Sequence, residues 1–360
     1  MFAQRTSVGL DVHARSVVGC AIDEATGEVV HKRFGYELAQ VIDWVKSLPG
    51  PQSATYEAGP TGFGLARLLE ASGIACTVAA PSKLQRPSGD RVKTDARDAE
   101  HLARLLRLDE ITAVRVPSIA QETARDLVRA REDTRGELMA ARHRLSKLLL
   151  RYGAVFEGKN TWSAEHDAWL RRQRLLLPGS PAAFDACFEA VKQIEARKKR
   201  LEAEIEHAAV SSEYAPVVTR LGCLRGISTL TGYALAVEIG DWHRFTGRTI
   251  GAYLGLVPQE YSSGSSRALG PITKTGNSHA RRLLVEAAWH HKKVYRPAQV
   301  MQARWDAAPV AAALRGQDGN RRLHAKWLQY VARKKRTTVA NVAIARELAG
   351  WCWSLAVMDD

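Results

Sequence analysis

Three short β-rich runs stand close together near the start of the chain, at residues 6–11 (TSVGLD), 16–22 (SVVGCAI) and 29–34 (VVHKRF). Brief polar segments separate them, the second containing Gly27. β-branched residues suit a pleated surface, and runs this near in sequence pair with each other, so an antiparallel meander is expected. Helix and strand signals then alternate. A helix-period segment at 38–48 closes on Pro49-Gly50-Pro51, a strand follows at 53–57, and Gly59-Pro60 turns the chain. A helix at 64–72 ends at Gly73, and a strand at 74–79 precedes Pro81. Residues 95–106 place Ala99, Leu102, Ala103 and Leu106 on one stripe of an amphipathic helix. The resulting order, βββαβαβα, predicts an α/β domain over residues 1–115.

From residue 121 the texture becomes helical. Leu138, Ala141, Leu145 and Leu148 keep a heptad-like spacing, and Cys187, Val191, Ile194, Lys198, Leu201, Ile205 and Ala208 alternate steps of four and three. Between them a stretch with Trp162, Trp169, Arg171 and Arg172 runs to Pro178-Gly179, read as the loop of a helical hairpin. Residues 116–212 are therefore expected to form a hairpin or coiled-coil region. The pattern fits packing within the chain as well as it fits self-association.

Residues 213–360 are expected to form a mainly α domain. Residues 221–232 (LGCLRGISTLTG), followed by an Ala-rich helix, look like a helix-hairpin-helix element, whose Gly-containing turn lets backbone N–H groups approach a phosphate. A Gly/Ser-rich segment runs from 261 to 277 into a basic helix at 279–288. The tail holds Arg333-Lys334-Lys335-Arg336 and a helix at 339–355.

Charge narrows the partners. The 360 residues carry 52 Lys+Arg against 38 Asp+Glu, a net +14. Residues 261–360 hold 17 Lys+Arg against 6 Asp+Glu, so +11 of the excess lies there. Such a surface suits a polyanion, because Lys and Arg contacts release counterions condensed on phosphates. No apolar run approaches the ~20 residues of a membrane span, and the first ten residues are too polar for a secretory segment. Five well-separated cysteines without a Cys-x-x-Cys pair fit neither a disulfide framework nor a zinc knuckle. A reducing cytoplasm, beside the nucleoid, is the expected setting.

Phosphodiester cleavage needs charge neutralised on the scissile phosphate and its leaving oxygen, which carboxylate-held divalent ions do. In a βββαβαβα domain the first and fourth strands lie side by side, bringing together Asp11 and Glu57 at their ends. Asp95 and Asp98 share one face of the last helix. Singly, each acid fits an ordinary role as turn former, strand-end charge, helix cap or solvated residue. Jointly they favour a metal site for Mg²⁺, with Mn²⁺ as the alternative. His13, two residues after Asp11, fits this site and an exposed strand end equally.

The segments Gly9-Leu10-Asp11-Val12-His13, Tyr56-Glu57-Ala58-Gly59-Pro60-Thr61-Gly62 and Lys93-Thr94-Asp95-Ala96-Arg97-Asp98-Ala99 resemble the D-E-D-D motifs of one family of insertion-sequence transposases. That family carries an RNase H/RuvC-like domain and is related to the Piv-type DNA invertases. Gly255-Leu256-Val257-Pro258, Ser262-Ser263-Gly264 and Ile272-Thr273-Lys274-Thr275-Gly276-Asn277 are similar to its second conserved domain. The resemblance spans nearly the whole chain. It implies that Asp11, Glu57, Asp95 and Asp98 bind the metal. It also implies that Ser263, with Ser262 as the alternative, is a nucleophile forming a phosphoserine link to DNA. Further implications are a homo-oligomeric complex and, as in many members, a structured guide RNA encoded by the element.

Lys274, Arg281, Arg282, Lys292, Lys293, Arg333, Lys334, Lys335 and Arg336 are the expected phosphate contacts, with His290-His291 beside them. Competing readings are a resolvase-like nuclease using metal-activated water, a silent nucleic-acid-binding protein, and a sugar kinase of the actin-like ATPase fold. The last needs a second half with its own phosphate loop, which residues 215–360 do not supply.

Overall fold

The computed structural model describes residues 6–84, 94–263, 266 and 268–359. The chain divides into two compact units, Met1–Ser118 and Ile119–Asp360.

In the first unit β1 (Thr6–Val12), β2 (Val17–Asp23) and β3 (Val29–Phe34) form the expected meander. α1 (Leu38–Ser47), β4 (Gln52–Glu57), α2 (Gly64–Ala71), β5 (Ala75–Ala79) and α3 (Asp95–Arg107) follow. The five strands order as β3-β2-β1-β4-β5, with β1 antiparallel to β2 and parallel to β4. β1 is thus central and βββαβαβα is the observed order.

Period-two alternation gives β1 two different faces. Val8 and Leu10 enter a core with Val41, Val45, Tyr56, Leu65 and Leu69 on the side of α1 and α2. On the other face Val18, Cys20 and Ile22 of β2 pack with Ala99 and Ala103 of α3. Gly9 makes that second layer possible. A Cβ there would run into the Ala99 carbonyl and the Ala103 backbone nitrogen, so α3 lies directly on β1.

The second unit is predominantly helical. α4 (Ile119–Arg151) and α6 (Ser180–Ser211) run antiparallel, joined through α5 (Ala164–Arg172), a helix where the sequence suggested a loop. Leu138, Ala141, Leu145 and Leu148 pack with Phe184 and Val191, so the heptad positions are filled within the chain. Arg131–Glu202 and Arg142–Glu195 pairs flank the seam, and Lys198 reaches Glu202 at 2.7 Å.

α7 (Ala215–Leu221) and α8 (Thr229–Ile239) enclose the hairpin turn, followed by α9 (Thr249–Tyr253). β6 (Pro258–Glu260) and β7 (Leu269–Ile272) make a two-stranded ribbon, and α10 (Ser278–Ala288), α11 (Gln299–Asp306), α12 (Val310–Ala332) and α13 (Thr337–Ala356) complete the unit. α12 escaped the sequence reading because Gly316, Gly319 and Asn320 lower its helix propensity. Here they are packing residues. A Cβ at Gly316 would collide with Cys223, and one at Gly319 would crowd Leu224 and Trp351. Buried Asn320 accepts the Arg225 N–H at 2.8 Å and donates to the Cys223 carbonyl at 3.0 Å, which holds the α7–α8 turn.

All five cysteines are free. No helix among the described residues is long and apolar enough to cross a membrane.

Candidate active site

The acids of the first unit stand on the α3 face of the sheet. Arg33 pairs in register with Val18, and Val18 with Asp11, so the three form one cross-strand row. Leu10 and Tyr56 are register partners on parallel strands, so the next residues, Asp11 and Glu57, stand near the ends of adjacent strands, although Glu57 is not among the ligand atoms that cluster with Asp11. Tyr56 is buried, and its hydroxyl donates to the Gly62 carbonyl at 3.0 Å, fixing the turn after Glu57.

Asp95 and Asp98 occupy the first turn of α3. Thr94 caps the helix in an extended conformation, its hydroxyl oxygen accepting the Arg97 N–H at 3.3 Å. Two carboxylates here are favoured by the positive end of the helix dipole. Lys93, which opens this motif, lies outside the described residues.

Asp11, His13 and Asp95 each offer a ligand atom, and these atoms lie within 4.8 Å of one another. His13 Nε2 is 3.1 Å from Asp11 Oδ2 and 3.8 Å from Asp95 Oδ1. Burial raises the Asp11 pKa above the usual carboxylate value, His13 offsets part of this, and the charges of Asp95 and Asp98 raise it further. Asp98 thus acts on Asp11 electrostatically from outside the cluster, while Glu57 is exposed at the strand end. Such crowding of negative charge is relieved by a divalent cation, which the Asp11 and Asp95 carboxylates with the His13 imidazole could hold. Arg33 was missed in the sequence. Its Nη2 lies 2.7 Å from Asp95 Oδ2, and only the β2–β3 register reveals it.

The Ser-rich segment forms the end of the β6–β7 ribbon. Tyr261 N–H donates to the Ala268 carbonyl at 2.9 Å, and Ser263 and Ser266 exchange backbone hydrogen bonds of 3.1 and 3.0 Å. Ser263 is exposed, whereas Ser262 Oγ donates to Glu260 Oε1 at 2.8 Å. Gly264 of the Ser-Gly pair lies outside the described residues.

A family model of DEDD-type transposases, DEDD_Tnp_IS110, matches residues 8–154, a span containing all four acids. A second, described as the transposase IS116/IS110/IS902 family, matches residues 218–305, which include the serine ribbon. The chain belongs to the IS116/IS110/IS902 family of transposases. A putative transposase, y4qE, of Sinorhizobium fredii (strain NBRC 101917 / NGR234) is 39% identical over 304 residues, covering 84% of this chain and 74% of that protein. The transposase for insertion sequence element IS1533 of Leptospira borgpetersenii is 28% identical, covering 92% and 99%. A probable family 20 transposase of Pseudomonas aeruginosa is 27% identical, covering 97% and 96%.

Behind the serine ribbon this transposase carries a buried acid that the sequence reading passed over. Glu238, on apolar α8, is 1% exposed. Arg129 Nε and Nη2 donate to its two carboxylate oxygens at 3.0 Å each, and Asn277 Nδ2 donates at 2.7 Å. His279 Nδ1 lies 3.1 Å away. Burial alone would raise its pKa, but hydrogen bonds from His279 and Arg129 and the Arg129 charge win, holding it at about 2. Asn277 also caps α10, its side-chain oxygen accepting the Ala280 N–H at 2.9 Å. Glu238 therefore anchors the loop 273–277, from which β7 leads back to the serines.

The expected phosphate contacts of the transposase divide. Lys274 is exposed in a left-handed conformation, φ 56°, with Lys292, Lys293 and Arg333–Arg336 also exposed. Arg281 and Arg282 are instead engaged within the fold. Arg281 Nη1 donates to the carbonyls of Leu254 and Thr275 at 3.1 and 2.8 Å, and Arg282 pairs with Glu132 and Glu286. His291 is fully buried, contrary to the expected surface position, and burial together with the Arg225 charge pushes its pKa down to about 3.

Proposed function

We propose that this transposase cuts and rejoins DNA through an RuvC-like acid site and a serine nucleophile. The observation carrying the reading is the convergence of Asp11 and Asp95, with Asp98 acting on Asp11, at the end of central strand β1. Asp11, Glu57, Asp95 and Asp98 hold the divalent cation, Mg²⁺ or Mn²⁺. The bound cation supplies Lewis-acid stabilisation of charge on the scissile phosphate and its leaving oxygen.

Ser263, exposed on the ribbon, attacks phosphorus. An Oγ–P bond forms, the P–O bond to the leaving strand breaks, the serine proton passes to a base or solvent, and the leaving oxygen takes up a proton. Attack by that hydroxyl in reverse rejoins the strands. The acids belong to one unit and the serine to the other, so DNA and further copies of the chain complete the working complex in this reading. A structured RNA from the element guides it. Lys274, Lys292, Lys293 and Arg333–Arg336 hold phosphates.

The test uses end-junction DNA of the element, its flanking transcript and Mg²⁺, with a denaturing gel to detect a protein–DNA adduct. An adduct absent from Ser263→Ala and from Asp11→Ala is expected. Cleavage that survives in Ser263→Ala without any adduct would replace the serine step by a metal-activated water.

A further inference from the structure

The second unit contains a groove of which the reading above uses only Lys335. One wall is the β6–β7 ribbon, through Pro258 and residues 269–272, and the other is formed by α12 and α13. Its volume, about 1200 Å³, exceeds the roughly 300–1,000 Å³ of small-molecule sites and suits a polymer.

Arg248, Arg315, Arg322, Lys335 and Arg346 line it, against the single acid Glu347. Arg322 Nε already engages Glu347 at 2.6 Å. Among the described residues no carboxylate pairs with the other four cations, all of which are exposed. Two of the cations lie on aromatic faces. Arg315 stacks 4.3 Å from the Trp351 ring centre and Lys335 4.7 Å from that of Tyr330. Gly247, Gly251 and Gly350 keep parts of the lining free of side chains.

Exposed cations without carboxylate partners, with the Arg315 guanidinium layered on Trp351, match an unpaired nucleic-acid strand, whose phosphates meet Arg248 and Arg346 and whose bases stack on the outer face of that guanidinium. In a duplex the base faces are already covered. We propose that this groove binds single-stranded DNA, the strand that runs along the ribbon to the serines. The choice of DNA rests on the serine reading, whereas single-strand binding can be measured without it.

Fluorescence anisotropy of the full-length chain, in EDTA so that no metal-dependent cleavage intervenes, provides the test. The probes are a labelled 15-nucleotide single strand of mixed sequence, its duplex, and RNA of the same sequence. Arg248→Gln/Arg346→Gln should weaken the DNA single strand roughly tenfold and lower its salt slope by about 1.4, since each single-strand phosphate contact contributes ~0.7. Loss for the duplex and the RNA should be smaller. Unchanged affinity and slope for the DNA strand overturn the proposal, as does an equal or greater loss for duplex or RNA. Arg315→Gln gives an independent, singly substituted check, with thermal melts establishing that each variant folds. Binding that fails here while the serine adduct forms would remove the groove and leave the nucleophile standing.

Discussion

Arg33 Nη2 lies 2.7 Å from Asp95 Oδ2, so a cation from edge strand β3 sits on a carboxylate proposed to hold the metal. Both side chains are substantially exposed, 68% and 41%, and such a pair contributes only about 0.2–1 kcal/mol. Arg33→Gln should therefore tighten Mn²⁺ binding by about 1.4- to fivefold, because the incoming ion no longer displaces a guanidinium. Calorimetric titration of the DNA-free protein measures this. Weaker binding in the variant would show that Arg33 supports the site rather than competing for it.

Gly9 places α3 on β1, and α3 carries Asp95 and Asp98. Gly9→Ala should destabilise the first unit by about 1–3 kcal/mol through overpacking. It should also weaken Mn²⁺ binding, because shifting α3 moves two of the four acids. Denaturant melts and metal titration read the two effects separately, and a variant with wild-type values in both would refute the close contact.

The depressed pKa of Glu238 makes a pH prediction with a definite sign. Folded, the group titrates at about 2, below its ordinary value near 4.5, so the unfolded chain takes up the proton first. Stability from this site is fully present above about pH 4.5 and is lost as pH falls toward 2. Glu238→Gln should flatten the stability profile of the second unit in that window, as followed by urea melts at stepped pH. At neutral pH, Glu238→Ala should cost roughly 3 kcal/mol, the lower range for breaking a buried pair, because Arg129 is half exposed and regains water. Identical acid profiles for Glu238→Gln and wild type would contradict the anchor role.

Glu57→Ala and Asp98→Ala should each reduce strand cleavage by at least about a hundredfold, since loss even of an outer partner of a metal ligand costs 10–100-fold. DNA binding, measured by gel shift at fixed salt, should stay within about twofold, because no basic contact is removed. Full Mg²⁺-dependent cleavage by either variant would take that residue out of the site.

The element order of the first unit was readable because its signals are local. Strands 6–12 and 52–57 are short β-rich runs bounded by Gly and Pro, and the stripe Ala99, Leu102, Ala103, Leu106 has a helical period. Asp11 and Asp95 could be singled out for the same reason, each standing at the end of a legible element. Elements whose local preference was overridden were not readable. α12 holds two glycines that only the contacts with Cys223, Leu224 and Trp351 explain, and the β6–β7 ribbon was hidden in a Gly/Ser-rich run. Arg281 and Arg282 illustrate the same limit for charge. Two adjacent arginines read as a phosphate contact until the Leu254 and Thr275 carbonyls and Glu132 are placed beside them.

By itself, then, the sequence determined the βββαβαβα order and the basic C-terminal third, which follow from residue type and short-range periodicity, while the four acids and the serine segment were singled out with the help of a family resemblance. Tertiary structure alone decided that Arg33 meets Asp95, that Glu238 anchors the loop behind the serines, and that Arg248 and Arg346 line one groove with Trp351. Those relations join residues far apart in the chain. Their geometry follows from strand register and helix packing, which no short window of sequence encodes.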